Sequence, residues 1–303
     1  MTNNKQSPIY IIGDTALAYT LAAKLTLAEE KVYLIAGKDN ILFSSSVLLR
    51  EDNLLQKKRV QIQTTTAMHE NAKMVILAIH PNTQKTLMTY FSPSKASDCP
   101  IISFCHTSSP EKFNILSRTN PVPAYFEGYT SFIQENTLIA HNTRAEIMLS
   151  TNEQNPHFDT IHNILSKTYF KVNFCSNDIQ NFWKHFAPYA ACSLFSCEYG
   201  NNLKETTKNP ELRQFLTLLI DEILSVAPFE SQLEKEQIIT SSYSTPKNYT
   251  FPLIEDIKKS RSGELMFIQN ILLQQPASRT TPMPTITKII NRTIKQILSS
   301  KTE

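Results

Sequence analysis

The stretch from Pro8 to Gly37 constrains the fold of this chain most. Pro8 to Ile12 reads Pro-Ile-Tyr-Ile-Ile, a short β-rich run that stops at Gly13. From Ala16 to Glu30 the apolar residues Leu17, Leu21, Leu25 and Ala28 recur at helical spacing, and Val32 to Ile35 forms a second β-rich run that stops at Gly37. Strand, glycine turn, helix and strand in this order make a βαβ unit, whose crossover obliges the two strands to run parallel. Val60 with Ile62, Met74 to Ile79, and Ile101 to Phe104 supply further short buried strands, so a doubly wound sheet is the expected closure.

Between Val122 and Leu149 the text turns to short strands and turns around Gly128, with Leu138 to Ala140 and Glu146 to Met148 expected as antiparallel additions to the sheet. Phe158 to Ser166 reads as a helix and Lys171 to Phe174 as a last edge strand. After Asp178 strand patterns almost vanish, and residues 178–200, 210–227, 231–242, 253–273 and 284–299 all carry helical periodicity. The expected class is therefore α/β, a doubly wound sheet in residues 1–174 followed by an all-α domain in residues 175–303.

Composition narrows the function classes. At 303 residues, 41% hydrophobic and 19% charged, the chain can bury two ordinary cores. A net charge of +3 is too small and too scattered to indicate nucleic acid, and the densest basic cluster, Lys57-Lys58-Arg59, reads as a solvated surface turn. The cysteines (Cys99, Cys105, Cys175, Cys192 and Cys197) have no paired spacing, and neither a disulfide framework nor a metal site is expected. No charged start leads into an apolar stretch and cleavage site, and no apolar run of about 20 residues could span a membrane, so a cytoplasmic protein is expected. Only five glycines occur in the chain. Average usage of about 7% would give roughly twenty. A chain that cradles phosphates on its backbone has few to spend.

The turn after the first strand reads Gly13-Asp14-Thr15-Ala16-Leu17-Ala18. A dinucleotide fingerprint has glycine at the first and third positions and glycine or alanine at the sixth. Gly13 supplies the tight turn and Ala18 allows close packing of helix on strand, but Thr15 puts a β-branched side chain where the backbone must approach a pyrophosphate. The motif leaves open both an anion site at a helix N-terminus and a plain strand-to-helix turn. Beyond the second strand, Lys38 could receive a ribose 2′-phosphate, which leans toward NADP, while Asp39 keeps NAD in play. His80 and His106 each follow a parallel strand and should sit at its carboxyl end, where open α/β sheets bind ligands, unless each simply bonds a loop carbonyl.

In the helical half, Asn181 to Cys192 presents one lysine, Lys184, in an apolar and aromatic run. A lysine buried there would be paired with a carboxylate, for which Glu264 is the candidate, or poised to give up a proton. The alternative is a side chain that snorkels to the surface beside Trp183.

These pieces together resemble the ketopantoate reductase (2-dehydropantoate 2-reductase) family over nearly the whole chain. The resemblance lies in Asp178-Ile179 before Trp183-Lys184, Tyr199-Gly200 with Asn202, then Pro210, Arg213 and Glu222, Asp256-Ile257 with Glu264, and Pro282 or Pro284 near the end, all in order and register. It implies a Rossmann domain, a helical domain that also mediates homodimers, NADPH as cofactor, a small-molecule 2-oxo acid as substrate, and a place in pantothenate biosynthesis. It also implies that Lys184 protonates the carbonyl oxygen as hydride arrives and that Glu264 orients the site. Hydride addition leaves negative charge on oxygen, so an adjacent ammonium both stabilises it and supplies the proton.

The chain departs from the family pattern at identifiable positions. Where the family carries asparagines four and eight residues after the lysine, this chain has Pro188 and Cys192. The loop that carries substrate-holding serines reads Tyr249-Thr250-Phe251-Pro252, the lysine after the fourth strand is His80, and an asparagine-glycine pair is His106-Thr107, while Asn202 is kept. The resemblance thus implies a substrate site near Asn202, Pro188, Cys192 and Pro252, in either an active reductase with altered preference or a non-catalytic relative that keeps the fold and binds a nucleotide or partner.

Overall fold

A computed structural model of the chain describes residues 7–36, 46–51, 57–81, 83–104, 121–134, 137–140, 145–151, 154–175, 179–200, 203–228, 236, 239–240, 245–246 and 249–300. It divides into two compact units, residues 1–177 and 178–303.

The first unit is built on an eight-stranded sheet. Its strands are β1 (Ile9–Ile12), β2 (Val32–Ile35), β5 (Gln63–Thr64), β6 (Met74–Leu77), β7 (Ile101–Ser103), β8 (Val122–Glu127), β11 (Glu146–Ser150) and β12 (Lys171–Cys175). They lie in the order β12-β11-β8-β7-β6-β1-β2-β5. Every neighbouring pair is parallel except β11 with β8. β1 pairs with β2 on one side (Ile9 opposite Val32) and with β6 on the other (Ile9 opposite Met74). The chain winds outward from β1 in both directions, and a sheet edge where the winding reverses is where open α/β folds leave a crevice. β1 and β6 are buried at every residue. Both faces of the sheet are covered, which is why these strands read as unbroken apolar runs.

Helix α1 (Ala16–Leu27) covers one face. It also packs on a second sheet of four strands, β4-β3-β10-β9, built from β3 (Ser46–Glu51), β4 (Lys57–Gln61), β9 (Thr130–Gln134) and β10 (Thr137–Ala140). Enclosed from two sides, α1 is buried without interruption from Ala18 to Leu25, and even the Lys24 ammonium lies 4.7 Å above the Phe170 ring. The expected addition of Leu138 to Ala140 to the main sheet is therefore corrected: β10 pairs with β9 and β3 in the separate sheet. Val60 joins that sheet as well. The opposite face of the main sheet packs Tyr10, Ile12, Val75 and Leu77 against Leu87, Met88 and Phe91, the first of them the last residue of α2 (Gln84–Leu87). Helix α3 (Phe158–Leu165) leads to the edge strand β12.

The second unit is helical among the described residues. It contains α4 (Ile179–Tyr199), α5 (Pro210–Ser225), α6 (Pro252–Lys258), α7 (Gly263–Leu273) and α8 (Pro284–Ser299). The expected helix over 253–273 is two, because Ser260 takes the left-handed conformation (φ 53°) and ends α6. α4 packs on α5, α6 and α8 and continues through Pro188. Asn209 caps α5 ahead of Pro210, accepting from the N–H groups of Glu211 (2.9 Å) and Leu212 (3.3 Å). Glu222 reaches across to α8, where its two carboxylate oxygens accept from the N–H groups of Thr285 (2.9 Å) and Ile286 (2.8 Å).

Candidate active site

The candidate site residues fall into two groups, one in each unit. In the first unit the β1–α1 turn brings Gly13 to Ala18 against the end of β6. A Cβ on Gly13 would lie 2.0 Å from the Ala78 carbonyl oxygen, so no other residue fits this turn unchanged. Thr15 is the N-cap of α1: its hydroxyl donates to the Ala78 carbonyl (2.9 Å) and accepts from the Ala18 N–H (3.1 Å). The side chain expected to crowd a pyrophosphate is thus engaged in capping the helix. The cap uses one of the helix's four unpaired N–H groups and leaves those of Ala16 and Leu17 without intrahelical partners. Ala18 is buried against the sheet, as close helix-to-strand packing requires.

The carboxylate of Asp14 turns toward the same edge. It accepts from the backbone N–H of His80 (3.0 Å) and from the Thr83 hydroxyl (2.7 Å). His80 therefore does lie at the carboxyl end of a central strand, beside the turn. Asp14, expected to help hold a nucleotide, is thus tied by its carboxylate to the segment that follows β6. Lys38, His106 and Asn202 lie outside the described residues.

In the second unit, Lys184 is exposed. Its apolar neighbours in sequence do not enclose it, because Phe182, Trp183, Phe186 and Ala187 turn inward on α4 while position 184 turns out. Among the described residues no ion pair or hydrogen bond joins Lys184 to Glu264. The expected pairing is replaced by another: the Tyr189 hydroxyl donates to Oε1 of Glu264. Glu264 is 3% exposed, in the first turn of α7. Burial, together with the Asp256 charge, outweighs the Tyr189 bond and raises its carboxyl from 4.5 to about 7. Tyr189 is held well above its ordinary value, first by burial and then by the Glu264 charge.

Asp256 anchors the arrangement. Fully buried on α6, it accepts from the Glu264 N–H through Oδ2 (2.9 Å), and Oδ1 pairs with Arg261 at Nε (3.0 Å) and Nη2 (2.8 Å). The first turn of α7 is thereby fixed by a carboxylate from the preceding helix, which orients Glu264. Pro188 and Cys192 follow Lys184 at four and eight residues on α4 and so share its row. Pro188 is half-buried, and burial pushes the Cys192 thiol up to about 12, a proton that stays in place at neutral pH. Pro252 opens α6 directly after Phe251. Tyr189 escaped sequence reasoning: it sits five residues after Lys184 with no spacing signal, and its partner lies on another helix.

No protein-family model and no curated protein sequence matches the chain. Solved structures do. A D-mandelate dehydrogenase in a ternary structure with NADH and anilino(oxo)acetate superposes with a TM-score of 0.80 at 13% identity, over 97% of this chain and 99% of that one. The fold is that of the ketopantoate reductases and D-mandelate dehydrogenase. The PanE/ApbA family ketopantoate reductase from Ralstonia eutropha JMP134 gives a TM-score of 0.74 at 13% identity, over 97% of this chain and 99% of that one. A dimeric ketopantoate reductase from Staphylococcus aureus gives 0.72 at 14% identity, over 96% of this chain and 99% of that one.

Proposed function

We propose that this protein is a nicotinamide-dependent reductase of a 2-oxo acid and a divergent relative of the ketopantoate reductases. The observation that carries the reading is the buried Glu264 carboxyl, bonded by the Tyr189 hydroxyl and oriented through its own N–H by Asp256, which Arg261 pairs, with burial raising it to about 7. A buried acid so oriented costs stability without filling space, and such groups cluster at functional sites. The fold shared with 2-oxo acid reductases over nearly the whole chain supports the same reading.

The dinucleotide would lie at the β1–α1 turn, where Gly13 permits close approach and the Ala16 and Leu17 N–H groups can meet an anion, with His80 beside it and Lys38 favouring NADP. A bound nicotinamide would supply the hydride. Lys184, exposed on α4, would be the group that stabilises the oxygen gaining charge and donates the proton that completes the alcohol. Glu264 receives a donor of the ligand or passes a proton through Tyr189. The helical unit would mediate a homodimer, as the dimeric relative suggests.

A second reading is a non-catalytic relative that keeps the fold and binds a nucleotide or partner. It is favoured by the Asp14 carboxylate and the Thr15 cap at the nucleotide turn. Titration with NADPH, NADP, NADH and NAD separates the two. Saturable binding of one pair, followed by loss of NADPH or NADH absorbance with a panel of 2-oxo acids, is expected of the reductase. Silence with all four dinucleotides selects the second reading. Lys184→Ala should lower kcat by about a hundredfold or more, and undiminished turnover removes Lys184 as the acid.

A further inference from the structure

We infer that strand β4, at the end of the four-stranded sheet, docks an extended acidic segment of a partner protein, which adds to the sheet as a further strand with carboxylates at alternate positions. Such docking is separate from the reductase reading. Lys57-Lys58-Arg59, expected as a surface turn, instead makes up most of β4, the end strand of the order β4-β3-β10-β9. All three residues are exposed, while Val60 turns into the core that α1 shares with this sheet. Among the described residues β4 pairs with β3 alone, so every second residue of β4 turns its N–H and C=O groups away from the sheet. An exposed edge of this kind accepts an added strand through main-chain hydrogen bonds, and side chains at alternate positions decide which strand.

Charge selects the occupant. Cations on an edge strand guard it against a second copy of the same chain, which would bring only cations to the same edge. Guarding accounts for Lys57, Lys58 and Arg59 but not for Arg50, which stands on the interior strand β3 directly opposite Lys57. Directly opposed like charges repel, with Cβ atoms about 5 Å apart, and the diagonal neighbour Arg59 adds a third cation at about 7–8 Å. Because Val47, Leu49 and Val60 turn inward, Arg50, Lys57 and Arg59 share the outward face. Among the described residues no carboxylate pairs with any of the three. An anion from outside relieves this repulsion. A strand laid along β4 repeats its side chains on one face about every 6–7 Å, the spacing of Lys57 and Arg59, and a glutamate opposite Lys57 can be met by the Arg50 fork as well. Neither β3 nor β4 carries an aromatic residue, so this face offers nucleic acid bases no stacking platform.

The test is fluorescence polarisation of the full-length protein with a labelled peptide of alternating glutamate and threonine. The comparisons are a peptide of the same composition with its glutamates in one block, a single-stranded oligonucleotide, and vesicles containing phosphatidylserine. Saturable binding of the alternating peptide, about tenfold or more tighter than the block peptide, is expected, together with slower hydrogen exchange at the β4 amides. Arg50→Glu should weaken this binding about tenfold. It should also melt no lower than the parent, since it removes a like-charge pair. Arg59→Glu serves as the second variant and should weaken binding in the same way. No saturable binding of the alternating peptide overturns the inference. So does equal binding of the two peptides with exchange at β4 unchanged, which is charge attraction alone. Tighter binding of the oligonucleotide or the vesicles overturns it in favour of a different polyanion.

Discussion

The Tyr189 hydroxyl and the Glu264 carboxylate form a single hydrogen-bonded pair that ties α4 to α7 inside the helical unit. The carboxyl titrates near 7 because burial withdraws its charge from water and Asp256 repels it.

That shift makes stability depend on pH in a defined sense. Between 4.5 and about 7 the folded chain keeps a proton on Glu264 that the unfolded chain has released, so stability falls as pH rises through this window. The full loss is about 3 kcal/mol. Glu264→Gln removes the titration: it should melt close to the parent at pH 5 and higher at pH 8. Equal melting temperatures at pH 8 would show that Glu264 ionises without penalty.

At the nucleotide turn, Asp14→Asn should strengthen dinucleotide binding. The amide retains a hydrogen bond to the His80 N–H or the Thr83 hydroxyl and removes a charge beside the turn where the proposed cofactor's phosphates would lie. Repulsion of about 1 kcal/mol at a partly solvated site corresponds to a roughly fivefold lower Kd. Fluorescence titration with NADPH reads it directly, and an unchanged Kd places the phosphates elsewhere.

Glu30 is a buried charge of the first unit, with a side chain 1% exposed and bonded by Lys73 (2.9 Å) and Lys167. Burial pushes its carboxyl up, but the hydrogen bonds from Lys167 and Lys73 more than offset this, and it lies below the ordinary carboxylate range. The stability it contributes is full above the unfolded value and is lost as pH falls through the folded one. Glu30→Gln leaves two lysines short of their partner and should cost about 3 kcal/mol at pH 7. Denaturant melts at pH 7 and pH 3 should show this gap closing in acid.

Glu222 caps α8 from α5 with both carboxylate oxygens. Glu222→Ala strips the acceptors from the first turn of α8 and should destabilise by about 1–2 kcal/mol. Urea unfolding monitored by the fluorescence of Trp183 on α4 reports it, and a midpoint within error of the parent would mean that water replaces the carboxylate without loss.

Much of the scaffold was legible because its signals are local. The Pro8 to Gly37 pattern marked β1, α1 and β2, since strands buried on both faces read as apolar runs and a glycine must stand where Ala78 comes close. The second sheet was not legible: β3 (Ser-Val-Leu-Leu-Arg-Glu) mixes polar and apolar residues, and its pairing with β10 depends on residues far along the chain. The break at Ser260 was hidden because a serine carries no advance sign of a left-handed backbone. At the candidate site, Lys184 and Glu264 stood out by residue type, but helical rotation rather than neighbouring sequence decides that one faces out and the other in. The Tyr189 bond arises only when two helices meet.

The enclosure of α1 has a consequence for how the chain is made. Residues 16–27 are covered by β3 and β4 but also by β9 and β10, so part of the apolar flank of the opening βαβ motif stays uncovered until β9 and β10, some hundred residues further along, have been synthesised. Truncated nascent chains ending before β9 should therefore engage chaperones that chains ending past β10 escape.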